Sequence, residues 1–223
     1  MRVEWFGQSA FALSGEQGSV AIDPFGDMSA LGRDRGMQWD YPAIPAVEPD
    51  LLLVTHEHAD HNAVELIGGA PAVLRSTAGT LESPLGEVSA IASEHDDVAG
   101  TQRGPNTIFV FTLDGVRCCH MGDFGQSGLR EEQAAAIGDV DLLIVPVGGG
   151  FTIGAEQASL IVERLSPRWV VPMHYRTPRI GFLEPVDAFL DKADLVERVE
   201  SSAFETADLP RVDGPLVVVP AAP

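Results

Sequence analysis

Short apolar runs, many of them β-branched, punctuate this chain at spacings that suit strands. Val3–Phe6, Ala10–Leu13 and Val20–Ile22 predict an opening antiparallel meander, which Asp23-Pro24 stops. Strand patterns return at Leu51–Val54, Ala72–Leu74, Val88–Ala92, Thr107–Leu113 and Val116–His120. Leu142–Val145, Trp169–Val171 and Leu216–Val219 follow. Helical patterns lie between them at Ala63–Ile67, Arg130–Ile137, Ala155–Leu165 and Val186–Ala193. The third is the clearest: Ala158, Ile161, Val162 and Leu165 share one face, and Pro167 bars continuation. The order is a β-rich opening, a hairpin in the middle and β-α alternation late. It predicts an α+β fold with two central sheets covered by outer helices, rather than a fully alternating barrel. The segment from Phe25 to Pro49 is rich in Gly, Pro and Asp and carries Met37, Trp39 and Tyr41. Such a loop serves either as a lid over a pocket or as plain packing against the body.

Length changes the picture little: 223 residues predict a single domain, 1–223, with no linker, low-complexity stretch or short tandem repeat. No run is apolar enough to span a bilayer, and Met1–Phe6 lacks the extended apolar region of a secretory signal, so a cytoplasmic location is the expectation. The formal charge of −19 changes more. An acidic surface repels phosphate backbones and anionic membranes, which points to a small-molecule substrate and leaves a homo-oligomer open. The two cysteines, Cys118 and Cys119, are strand neighbours facing opposite ways. Buried, inert thiols are expected rather than a disulfide.

The chemistry is concentrated after Leu51–Val54, in Thr55-His56-Glu57-His58-Ala59-Asp60-His61-Asn62. Imidazole and carboxylate are the usual ligands of borderline or moderately hard divalent cations. A loop leaving a strand can turn His56 and His58 toward one ion, with Asp60 and His61 pointing past it toward a second. Two-metal hydrolytic sites hold their ions about 3.5–4 Å apart. The zincin helix motif does not fit, because the fourth residue after His56 is Asp60. Three further candidates each follow an apolar strand: His95 after Val88–Ala92, Asp123 after Val116–Met121, and His174 after Trp169–Met173. Polar groups at the carboxyl ends of buried strands are where α/β proteins gather their sites. His120, ending its own strand, is read as either a donor orienting a ligand or a buried, satisfied histidine.

His-x-His-x-Asp-His, a later His, a Gly-Asp and a C-terminal His resemble the metallo-β-lactamase fold superfamily. Within it the chain is similar to the bacterial metal-dependent hydrolases related to ascorbate-6-phosphate lactonases. Ser93-Glu94-His95-Asp96, Arg103-Gly104-Pro105-Asn106-Thr107, Gly122-Asp123-Phe124-Gly125 and Pro146-Val147-Gly148-Gly149 carry that likeness. The resemblance implies a four-layer αβ/βα sandwich of two mixed β-sheets flanked by helices. It also implies His56, His58 and His95 on one metal, Asp60, His61 and His174 on the other, Asp123 bridging and Asp23 supporting the loop. Gln8 stands where related chains often have His, and Arg176 where Lys is common.

An all-nitrogen-and-oxygen set favours two zinc ions, with Mn or Fe as substitutes. The expected function is hydrolysis of a small, anionic ester or lactone by a hydroxide shared between the metals, with Asp60 positioning it or returning a proton. Arg103, Asn106 and Arg176 are the candidate substrate contacts. The Gly148-Gly149-Gly150 turn either offers backbone N–H groups to a ligand or lets the chain bend. A phosphodiesterase or nuclease on the same fold and a non-enzymatic metal-binding protein are the alternatives. His58 stands where the di-iron oxidoreductase branch would call for Glu.

Overall fold

The computed structural model of the protein describes residues 1–223, the side chain of residue 31 apart. The meander forms as its apolar alternation predicts: β1 (Arg2–Gly7), β2 (Ala10–Gly15) and β3 (Gly18–Ile22) pair antiparallel in sequence. A short helix, α1 (Ser29–Asp34), interrupts the Phe25–Pro49 segment before β4 (Leu51–Val54) and β5 (Ala72–Arg75). These two extend the first sheet in parallel. Next come β6 (Gly79–Ser83), β7 (Gly86–Glu94), β8 (Pro105–Leu113) and β9 (Val116–His120), all antiparallel neighbours in the second sheet. The chain then alternates through α2 (Glu131–Ile137), β10 (Leu142–Pro146), α3 (Ala155–Leu165), β11 (Trp169–Met173) and α4 (Asp187–Leu190). It ends in β12 (Val196–Val199), β13 (Ala203–Glu205) and β14 (Leu216–Pro220).

The first sheet has the order β13-β1-β2-β3-β4-β5 and the second β12-β14-β11-β10-β9-β8-β7-β6. Each is mixed, with an antiparallel and a parallel half. The parallel strands β4, β10, β11 and β14 are buried at every position, which explains their unbroken apolar runs. Trp5, Phe11 and Leu13 of the first sheet share one core with Phe109, Phe111, Cys119 and Val145 of the second. Both cysteines are free and buried there; desolvation pushes both thiols up, Cys119 to about 12, and so leaves them inert.

Strand direction decides where chemistry can collect. The pairings make β1, β3 and β4 run one way in the first sheet, and β7, β9, β10 and β11 run one way in the second. Every segment that carries a candidate ligand leaves a carboxyl end.

Several elements differ from the sequence pattern. Ala63–Ile67 holds only a 3-10 turn at Val64–Leu66, because five residues cannot offset helix nucleation and the Ala63 N–H donates to Pro24 instead. α4 is likewise shorter than Val186–Ala193. β6, β12 and β13 are short edge strands with polar or charged members, whose pairing depends on their neighbours. Among the described residues no helix is long and apolar enough to cross a membrane.

Candidate metal centre

The loop after β4 is pinned by one carboxylate. Asp23, at the end of β3 with a left-handed φ of 49°, is fully buried. It accepts from the Thr55 N–H (2.7 Å), the Thr55 hydroxyl (2.7 Å) and Nδ1 of His61 (2.9 Å). That last bond assigns the His61 proton to Nδ1 and turns Nε2 toward the cluster. The Thr55 oxygen, already donating to Asp23, accepts from Nδ1 of His56 at 3.0 Å, so His56 also presents Nε2. Glu57 points outward, paired to Arg75 (2.6 Å) and accepting from Ser76; the Arg75 bonds hold its carboxyl down to about 2. It ties the loop and takes no part in the cluster.

Asp123 is the second anchor. Its Oδ1 accepts from the Ser9 hydroxyl (2.9 Å), and its N–H donates to Oδ1 of Asn106 (3.0 Å). Asn106 donates in turn to Ser93 Oγ and the Met121 carbonyl, each at 2.8 Å. Gly122, with φ of 57°, allows this turn: a Cβ there would lie 2.3 Å from Asn106 Oδ1 and 2.8 Å from Thr55 Cβ. The other carboxylate oxygen of Asp123 lies 3.1 Å from His95 Nε2 and 3.3 Å from both His61 Nε2 and His174 Nε2. Asp60 lies 3.5 Å from His61 Nε2.

The structure thus brings all seven candidate ligands together. Two compact donor sets emerge, each with its atoms within 4.8 Å: His56, His58 and His95, and His56, His61 and Asp123. Asp60 and His174 flank the second. His58 is exposed, whereas His56, His61, His95, Asp123 and His174 are buried. His120 sits outside the cluster. Its Nε2 donates to the Ser9 carbonyl (3.0 Å) and its Nδ1 accepts from the Gly122 N–H (3.1 Å), so it braces Ser9, which holds Asp123, and the Gly122 turn that precedes Asp123.

The electrostatics suit a cation. Burial drives His56 down to about 2, helped by His61, which keeps this ring neutral and its lone pair available. Burial also lowers His58. For His61, burial pushes down, but the carboxylates of Asp123, Asp60 and Asp23 together raise it well above the ordinary value. Three carboxylates therefore call for positive charge at this spot. Nε2 of His61 is buried and faces the carboxylates of Asp123 and Asp60, where a bound cation would take its lone pair in place of a proton. Five imidazoles and two carboxylates fit the ligand chemistry of a divalent metal ion.

Above the cluster lies a cavity of about 290 Å³, lined by His58, Asp60, His95, Asp123 and His174 below and by Arg35, Trp39, Arg103, Phe151 and Phe182 around its mouth. The Phe25–Pro49 segment is both packed and pocket-lining: Trp39 stacks on Phe182 (6.3 Å) and meets Phe25 edge-on (5.8 Å), while the Tyr41 hydroxyl lies 3.0 Å from that of Thr177. Asp96 shapes the opposite rim by accepting from the N–H groups of Val98, Gly100, Gln102 and Arg103. Arg103 then lies over the Phe151 ring at 4.3 Å.

Of the three expected substrate contacts, only Arg103 is among the described residues lining this cavity. Asn106 is a buried strut beneath Asp123, used up by its own hydrogen bonds. Arg176 is exposed and donates to the Leu183 carbonyl (2.6 Å). The triple-glycine turn lets the chain pass close to a ligand: a Cβ on Gly148 would meet the His174 carbonyl oxygen at 2.1 Å. Sequence reasoning passed over Ser9 and marked Gln8 only as a departure from the family pattern that could change substrate contacts, although both follow β1 by the strand-end rule that found the others. Arg35, Phe151 and Phe182 carry no such signal, since their place at the mouth depends on tertiary packing.

Comparison with known proteins follows the same lines. A family model described as a beta-lactamase superfamily domain matches residues 2–174. A UPF0173 metal-dependent hydrolase of Thermococcus kodakarensis is 31% identical over 210 residues, covering 79% of this chain and 85% of its own. Another from Natranaerobius thermophilus is 29% identical, covering 92% and 95%. A crystal structure from Thermotoga maritima, assigned to the metallo-β-lactamase superfamily, superposes with a TM-score of 0.76 at 30% identity, covering 98% of each chain.

Proposed function

This chain belongs to the metallo-β-lactamase superfamily as a metal-dependent hydrolase, and from that premise we propose that it cleaves small anionic esters or lactones at a two-metal centre. The observation that carries the reading is the convergence of five imidazoles and two carboxylates, more donors than a single four-coordinate ion takes, beneath a mouth that presents cationic side chains. Bound divalent ions, zinc by preference, supply Lewis-acid polarisation of the substrate oxygen and a water acidified toward neutral pH.

The chain's own residues do the rest. His56, His58 and His95 would hold one ion and Asp60, His61 and His174 the other, with Asp123 a ligand available to both. Ser9 and Asn106 fix the orientation of Asp123 from outside the cluster, so its free carboxylate oxygen would be offered to bound metal. Asp60 is pushed up by burial, yet His61 outweighs this and brings it down to about 2. So weak a base stores no proton at neutral pH; Asp60 instead accepts a hydrogen bond from the attacking water and orients it. Water oxygen adds to the acyl carbon, the bond to the leaving oxygen breaks, and the water's proton ends on that oxygen. An ester yields acid and alcohol; a lactone yields one hydroxy acid.

Substrate charge is read at the mouth. The structure gives Arg103 and Arg35 no acidic partner among the described residues, in a chain of 33 acidic and 14 basic side chains. Two guanidinium groups left for a ligand suit a carboxylate or phosphate, while Trp39, Phe151 and Phe182 suit its apolar body.

Metal-loaded protein assayed on a panel of lactones, carboxylic esters and phosphodiesters tests the reading, alongside a direct count of bound metal. Turnover of anionic esters or lactones with two ions per chain is expected. Cleavage of phosphodiesters alone would favour the nuclease-type alternative. Full metal with no turnover on any of the three classes would favour a binding protein.

A further inference from the structure

Gln8 is a buried carboxamide in the cavity lining with neither of its side-chain polar atoms hydrogen-bonded. It follows β1 in the left-handed region, at φ of 48°, which a residue with a Cβ adopts only when its surroundings require it. The surroundings are identifiable. Its carbonyl accepts from Nε1 of Trp5 (2.9 Å) and from the N–H of His174 (3.3 Å), itself left-handed at φ of 52°. Two strained residues from different sheets are thus joined, and the Gln8 side chain is committed to the cavity that His58, Asp60, Asp123 and His174 line.

That side chain is 1% exposed, and neither Nε2 nor Oε1 has a hydrogen-bond partner. A buried carboxamide with both ends unmet lowers stability, so it persists where a ligand meets it. Two neighbouring groups are engaged elsewhere: the Ser9 hydroxyl on Asp123 and the His174 N–H on the Gln8 backbone itself. The amide is neutral, so it can stand beside a cationic centre without repulsion, and it shares the cavity lining with the ligands His58, Asp60, Asp123 and His174.

We propose that Gln8 is a catalytic residue: its Nε2 donates to the carbonyl oxygen of the substrate as that oxygen gains negative charge during attack by water. This rests on the hydrolase reading above. As water oxygen bonds to the acyl carbon, the π electron pair moves onto the carbonyl oxygen, where the amide hydrogen receives it. The pair returns when the bond to the leaving oxygen breaks. A donor that is pre-positioned and needs no reorganisation acts mainly in the transition state.

Gln8→Met keeps the length of the side chain and removes both polar ends. With 4-nitrophenyl acetate and δ-valerolactone as probes, kcat is expected to fall by about 10²–10³ with KM little changed. Metal content should stay at the wild-type value. Melting temperature of the metal-free protein should rise by roughly 2–4 °C, because an unmet buried amide has been removed. Unchanged kcat would overturn the proposal, as would a lowered melting temperature, which marks a structural amide, or lost metal, which marks a ligand. An inactive wild-type protein with full metal would instead remove the hydrolase reading and this proposal with it. An active wild type matched by Gln8→Met removes this proposal alone.

Discussion

At the floor of the cavity, Asp123 is gripped by Ser9 from the turn after β1 and Asn106 from β8, and Asp23 takes three donors at once. At the mouth, Trp39, Phe182 and Phe151 meet through ring faces and edges, and Arg103 rests on an aromatic surface. The floor is built from directional bonds at strand ends, which tolerate little displacement. The mouth is built from apolar contact, which tolerates substitution of similar volume. On the proposed function the difference separates two jobs: the floor would set what reaction is possible, and the mouth what enters.

The comparison can be broken most sharply at the floor. Asp123→Ala and His58→Ala should each abolish hydrolysis, with metal stoichiometry measured on the same samples; full activity in either would remove the floor's claimed role. One layer out, Asp23→Ala frees Thr55 and His61 together, and metal affinity should drop about 10–100-fold in a competition titration with a chelating dye. A smaller and selective effect belongs to the mouth. Arg103→Met should raise KM for an anionic ester roughly 10-fold or more, the worth of a charge-assisted hydrogen bond, while a neutral ester of the same size is unaffected. Equal losses on both esters would show that Arg103 acts through structure.

The smallest effect lies far from both regions. Asp114, in the β8–β9 turn, accepts from the N–H groups of Gln17 (3.0 Å) and Glu16 (2.9 Å), which hold its carboxyl below the ordinary value of 3.8. A lowered folded value means its contribution is present above that ordinary pKa and fades as pH falls through the lowered one. Asp114→Asn should therefore melt slightly below wild type at neutral pH, and the gap should close in acid. Thermal melts across that range, with the site chemistry unaltered, give the check.

Much of the floor was legible from residue order, because its ligands follow buried apolar strands and β4, β7, β9 and β11 are strong local patterns. The buried parallel strands β4, β10, β11 and β14 announced themselves by unbroken apolar runs, and α3 by its stripe and Pro167. What escaped shares one cause. The edge strands β6, β12 and β13 are stabilised by their neighbours, so their own residues say little. The single turn at Val64–Leu66 carries a helical pattern too short to nucleate. Asn106 looked like a substrate contact because it lies beside Arg103 in sequence, yet on a strand only three residues along, its side chain is directed inward to Asp123. Gln8 was set apart as a departure from the family pattern, but only burial and its empty hydrogen-bond inventory reveal what it offers.

Because β1, β3, β4, β7, β9 and β11 all finish on one side, the turns on the other side are free of chemistry. Gly15–Gly18, Ser83–Gly86 and Asp114-Gly115 sit there, the first two in contact through Gly18 and Leu85. Ser83–Gly86 is accordingly the place to tether this protein: a resin linkage or fluorophore fixed at that bend leaves the opposite opening facing bulk solvent.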